Sequence, residues 1–123
     1  MSKKKIFIVD DDPMFSIMLS DYLEEKALYD ITIFGTGEEC IKQIYDNPDF
    51  VILDYNLNSF ESTAMNGMQI LERIKKINSN LQVIILSSQE KYGIASECIM
   101  KGANYYIIKD TSSFEEIGRL LED

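Results

Sequence analysis

Solid apolar runs alternate along the chain with stretches whose apolar residues recur at helical spacing. The runs cover residues 5–9 (KIFIV), 50–53 (FVIL), 83–86 (VIIL) and 105–108 (YYII), and residues 31–34 (ITIF) alternate as a shorter strand. Runs this short and this rich in Ile and Val read as strands buried on both faces, the mark of a parallel sheet. Between them, Asp12 and Pro13 read as N-cap and first helical position, with Phe15, Met18, Leu19, Tyr22 and Leu23 on an inward face. Thr36-Gly37-Glu38-Glu39 reads as a capping box that starts a helix with Cys40, Ile41, Ile44 and Tyr45 inward. Ile70, Leu71, Ile74 and Ile77 mark a third helix, and Ala95, Cys98 and Ile99 a fourth that Gly102 can end. Ser113 with Glu116 caps a last helix around Phe114, Ile117, Leu120 and Leu121. Five strands and five helices in strict alternation predict one α/β domain over residues 1–123, a doubly wound parallel sheet with right-handed crossovers.

The polar residues just past the runs matter most. Asp10-Asp11 stands after the first strand, Asp54 after the third, Ser87 after the fourth and Lys109 after the fifth. In an open parallel sheet the carboxyl ends lie along one edge, and ligands bind in the crevice there. Each residue has an ordinary reading. Asp12 caps a helix, Ser87 or Ser88 caps the next one, and a lysine at a strand end is commonly solvated. Placed together they mean more. Carboxylates on one rim repel unless a cation joins them. Three carboxylates and one lysine leave a net −2, which one Mg²⁺ neutralises. Magnesium favours one or two carboxylates, waters and a phosphate oxygen. An ammonium, a hydroxyl, Mg²⁺ and backbone N–H groups are the donors that a transferred phosphoryl group requires.

Composition narrows the chemistry. The 123 residues carry 21 acidic and 12 basic side chains, a net charge of −9, with Lys3 to Lys5 the longest basic run. A duplex-binding surface needs a basic stripe, so DNA binding by this chain is not expected. No apolar run approaches a membrane span, and the apolar segment after the basic start is too short for a signal peptide, so a cytoplasmic setting is expected. Cys40 and Cys98 fall on apolar helical faces and read as buried thiols. There is no histidine. That excludes Ser-His-Asp hydrolases and zinc-histidine sites, and any phosphohistidine must belong to a partner.

The segments IFIVDDDP, FVILDYN, VIILSSQ and GANYYIIKD, in this order and spacing, resemble the receiver domain of bacterial two-component response regulators. The resemblance implies a flavodoxin-like sheet of strand order 2-1-3-4-5. It implies a Mg²⁺-dependent phosphoacceptor at Asp54, fed by a partner histidine kinase or histidine phosphotransfer protein. It makes Asp11 a direct Mg²⁺ ligand, Asp10 a ligand through water, and Asn56 the donor of a backbone carbonyl. Lys109 would contact the phosphoryl group and Ser87 would hydrogen-bond to it. Ser87 and Tyr106 would then switch the face made by the fourth helix, fifth strand and fifth helix, where an output domain or effector docks. The chain would be a signalling protein whose only catalysis is on its own acyl phosphate, either standing alone or as part of a longer regulator.

Three departures from the family stand out. The loop after Asp54 has no early proline, the glycine opening the third helix is Gly67, about five residues late, and Asp110 follows Lys109 where a cis proline is usual. The long segment 58–66 (NSFESTAMN) reads as a surface loop near the site, either a neutral insertion or a shield for the acyl phosphate. Two other functions compete. Asp10 and Asp12 fit the Asp-x-Asp spacing of a haloacid-dehalogenase-like phosphatase with Asp10 as nucleophile, which leaves Asp54 unexplained and provides no cap. A receiver reduced to a phosphorylation-independent interaction module is opposed by the retained Asp11, Asp54 and Lys109. A flavin-binding reading fails because Asp-Asp-Asp-Pro cannot cradle a phosphate.

Overall fold

The computed structural model describes residues 3–26, 28–57, 63–88 and 92–122. Its elements alternate as β1 (Lys4–Val9), α1 (Pro13–Glu24), β2 (Tyr29–Phe34), α2 (Gly37–Lys42), β3 (Phe50–Asp54), α3 (Gly67–Ile77), β4 (Gln82–Ser87), α4 (Tyr92–Met100), β5 (Tyr105–Ile108) and α5 (Ser113–Glu122). All four strand pairings are parallel, in the order β2-β1-β3-β4-β5. This is the expected flavodoxin-like arrangement.

Alternate residues of each strand feed two cores. Phe7, Val9, Val51, Leu53, Val83 and Ile85 meet α2, α3 and α4 through Cys40, Ile70, Leu71, Ile74 and Cys98. On the opposite face Ile6, Ile8, Ile52, Ile84, Leu86 and Ile107 meet α1 and α5 through Leu19, Leu23, Ile117 and Leu121. The central strands β1, β3 and β4 are buried on both faces, which is why they read as near-continuous apolar runs. Both cysteines are free and buried. Burial pushes the Cys40 thiol up to about 12, so it packs as an unreactive hydrophobe.

Several helix faces differ from expectation. In α1 the buried residues are Ser16, Leu19, Ser20 and Leu23. Met18 is 53% and Tyr22 37% exposed. The serines carry no hydrophobic signal, yet their small size lets the helix approach the sheet, and Ser16 Oγ is satisfied by the Asp12 carbonyl at 3.2 Å. Tyr45 is exposed as well, because α2 gives way to a 3₁₀ turn over Ile44–Asp46. The tighter turn advances each residue further around the axis and carries Tyr45 away from the sheet. Ile99 is also half exposed, and Cys98 alone of that pair faces the core. The cap of α5 sits one residue earlier than expected: Ser113 is the first helical residue, and Ser112 accepts at its carbonyl from the Glu116 N–H. β2 begins two residues before the predicted run because Lys4 pairs with Tyr29. Gly102 does end α4, at φ 110°.

Residues 58–62 of the long loop lie outside the described residues. Its returning arm is firmly held. Glu38 Oε2 accepts the Met65 N–H at 2.9 Å, and Asn66 and Gln69 form a capping box for α3 that the hydrophobic pattern does not reveal. Gly67 N–H donates to the Tyr55 carbonyl at 3.0 Å. A Cβ on Gly67 would lie 2.5 Å from the Asp54 carbonyl oxygen and 2.6 Å from Tyr55 Cα. Only glycine lets α3 begin against the backbone that carries Asp54.

Candidate functional site

Register sets the site. Val9 is opposite Leu53, so Asp10 comes level with Asp54. Ser87 is opposite Ile108, and the Lys109 N–H extends that ladder to the Ser87 carbonyl at 2.9 Å. Three strand ends therefore deliver Asp10, Asp54 and Lys109 to one cleft. The cleft holds about 260 Å³ and is lined by Asp10, Asp11, Asp12, Asp54, Asn56, Ser88 and Lys109.

The carboxylates are deep. Asp10 and Asp54 are each 3% exposed, and Asp11 is half-buried. Lys109 Nζ donates to Asp10 Oδ2 at 3.0 Å and lies 3.4 Å from Asp54 Oδ1. The other Asp10 oxygen accepts the Asp12 N–H at 2.9 Å, and Asp54 Oδ1 accepts the Asn56 N–H at 3.2 Å. Asp12 also caps α1 through the Met14 and Phe15 N–H groups. The N-cap and the first acid are thus locked into one turn.

Burial, and then the neighbouring Asp10 carboxylate, push the Asp54 carboxyl up to about 7; Lys109 and the Asn56 N–H oppose the shift. Burial pulls the Lys109 ammonium down, but Asp54 and Asp10 outweigh it and the net shift is upward, so the lysine stays charged.

One oxygen from each of Asp10, Asp11 and Asp54 lies within 4.8 Å of the others. Three carboxylate oxygens this close repel one another, and a divalent cation would relieve that repulsion. Hard, acidic oxygen donors beside an open cleft fit magnesium.

Ser87 sits behind this cleft, fully buried, and the Tyr106 phenol feels it electrostatically. Burial is the largest cause holding the Tyr106 phenol above its usual value, and the Ser87 contact opposes it. The hydroxyl residue on the cleft wall is exposed Ser88. From sequence Ser88 reads as a helix cap, though successive residues at a strand end face opposite ways and could have flagged it. Phe15 reads from sequence as core only. Its ring centroid lies 4.4 Å from Lys109 Nζ, a contact that no sequence pattern announces.

Fold and site together define a doubly wound α/β module of flavodoxin type with an acidic, lysine-bearing cleft at the carboxyl edge of its sheet. A family model described as the response regulator receiver domain matches residues 6–121, and the chain belongs to that family. Receiver domains are the signalling modules of two-component systems.

The chain is 31% identical over 108 residues to the chemotaxis protein CheY of Thermotoga maritima, covering 86% of this chain and 85% of that protein. It is 28% identical over 111 residues to the response regulator protein VraR of Staphylococcus saprophyticus, covering 89% of this chain but 51% of that protein. A chain of the crystallised CheX-CheY-BeF3-Mg²⁺ complex from Borrelia burgdorferi is 26% identical and matches with a TM-score of 0.79, over 97% of this chain and 87% of that one. No helix among the described residues is long and apolar enough to cross a membrane.

Proposed function

We propose that the chain is a cytoplasmic, Mg²⁺-dependent phosphoacceptor receiver domain over residues 1–123, with Asp54 as the residue modified. The observation that carries this is the meeting of Asp10, Asp11, Asp54 and Lys109, from three strand ends, in one cleft. Asp54 Oδ attacks the phosphorus of a partner's phosphohistidine. A P–O bond forms as the P–N bond breaks, and the imidazole leaves with the electron pair and is protonated. The chain holds no histidine, so the phosphohistidine belongs to a partner, a histidine kinase or phosphotransfer protein. Asp11, Asp54 and the Asn56 carbonyl would hold the ion directly, and Asp10 would hold it through water. An ion held there would supply charge neutralisation to the transferring group.

Lys109 gives up part of its pairing with Asp54 and donates to the phosphoryl oxygens. Ser87 turns toward the same oxygens and releases Tyr106, which then repacks between two populated arrangements. The signal leaves through the face of α4, β5 and α5, toward an output domain or effector. The Borrelia complex, crystallised with BeF3 and Mg²⁺, supports this reading by likeness. Family membership leaves the reading with Asp10 as nucleophile unsupported.

Asp11→Asn tests the metal side. Titration with Mg²⁺, followed by amide chemical shifts of Asp54 and Asn56, should saturate in the parent and fail in the variant, with phosphorylation by acetyl phosphate lost in parallel. A variant that binds Mg²⁺ like the parent contradicts the ligand assignment.

A further inference from the structure

We propose that Phe15 is a positioning residue for Lys109: its ring face, backed by Phe114 and Tyr22, holds the ammonium between the Asp10 and Asp54 carboxylates. The inference rests on the reading that Lys109 contacts the transferred phosphoryl group. Three groups surround Nζ: Asp10 Oδ2 at 3.0 Å, Asp54 Oδ1 at 3.4 Å and the Phe15 ring centroid at 4.4 Å. A lysine ammonium is a compact charge on a flexible four-carbon stem. Held by ion pairs alone, it follows whichever carboxylate carries more charge, and that balance changes when a cation or a phosphoryl group arrives. The ring behaves differently. Its quadrupole attracts a cation without titrating, so its pull stays constant while the carboxylates are neutralised.

Phe15 is anchored at its backbone and at its ring. The Phe15 N–H points to Asp12 Oδ1 at 3.4 Å, in the capped turn just past Asp10 and Asp11. On its other side Phe15 meets Phe114 edge-on, with centroids 5.5 Å apart and planes at 67°. Phe114 in turn lies 5.5 Å from the Tyr22 ring. Phe114 is in the first turn of α5, shortly after Lys109, so the Phe15–Phe114 contact joins the chain segment after Asp10 and Asp11 to the one after Lys109. This also gives work to the α1–α5 seam beyond closing the core. A packing role alone is the competing account, since Phe15 and Phe114 are only partly buried against that core.

Fluorination separates the two accounts, because it withdraws π density while nearly preserving ring shape. The full chain is prepared with mono-, di- and trifluorinated phenylalanine at position 15. The Lys109 ammonium signal is read by NMR in the metal-free, unphosphorylated protein, and the acetyl phosphate reaction rate is read with Mg²⁺ present. Ammonium proton exchange should quicken stepwise, about two- to five-fold across the series, with the phosphorylation rate falling in step. Phe15→Leu should show the full effect at once, and Phe15→Tyr should match the parent. An ammonium signal that ignores fluorination overturns the proposal, as does a rate that ignores it while Lys109→Met is impaired. If Lys109→Met phosphorylates normally, the phosphoryl-contact reading beneath the proposal fails, and the ammonium series still decides whether Phe15 holds the lysine.

Discussion

At the scale of the residue, Asp54 shows how burial and neighbouring charge shape the site. Its carboxyl, held up at about 7 by burial and by Asp10, lies well above the usual 3.8. The folded protein therefore keeps a proton on this group over a range where the unfolded chain has lost it. The resulting stabilisation is fully present below about 3.8 and is lost as pH rises through about 7. Above that, the metal-free fold carries an ionised group that it disfavours. Asp54→Asn removes this charge. Urea denaturation without metal should find the variant more stable than the parent at about pH 8 by roughly 1–3 kcal/mol, the gap closing as pH falls. Mg²⁺ should narrow the gap from the other side, since it stabilises only a state that binds it. A gap independent of pH contradicts this electrostatic account.

The strand-end acids and Lys109 are legible from residues alone, because runs buried on both faces announce both the strands and the points where they stop. Ser88 and Phe15 are not. Which side chain at a strand end turns toward the cleft depends on strand twist and on the rotation of α1, and neither leaves a mark in hydrophobicity. The roles given to Ser87 and Tyr106 come from family resemblance, not from their own pattern.

At the scale of the element, the start of α3 carries the tightest constraint. A Cβ at residue 67 would overlap backbone atoms of Asp54 and Tyr55, which cannot swing aside as a long side chain can. Gly67→Ala should therefore cost about 1–3 kcal/mol in urea denaturation and slow phosphorylation, because relief requires moving either α3 or the Asp54 backbone. Stability and rate equal to the parent would show that the loop gives way elsewhere. The sequence marks Gly67 as displaced along the chain but does not show its contact. The Asn66–Gln69 capping box escapes notice because the polar loop before it masks the boundary. The α1 face is misassigned for a related reason: Ser16 and Ser20 are buried by size, and a hydrophobic pattern cannot see them.

At the scale of the whole molecule, strand order 2-1-3-4-5 places β1, β3, β4 and β5 side by side, so a change at Asp54 can reach β5 in two steps across the sheet. Residues alone predict a parallel sheet; its order comes from resemblance. On the proposed function, the interaction between Ser87 and Tyr106 is the step that would carry a change in the cleft to the α4-β5-α5 face. Addition of beryllofluoride with Mg²⁺ should shift amide resonances of Ser87, Tyr106 and the neighbouring residues of α4 and α5. Shifts confined to the cleft would remove this route.

The most direct test of the central claim locates the phosphoryl group. After reaction with acetyl phosphate and Mg²⁺, the acyl phosphate is reduced with borohydride, which converts the modified aspartate to homoserine, and peptides are sequenced by mass spectrometry. Conversion at Asp54 alone, lost in Asp54→Ala, is the result expected. Conversion at Asp10, persisting in Asp54→Ala, would contradict the account and move the nucleophile to the first strand.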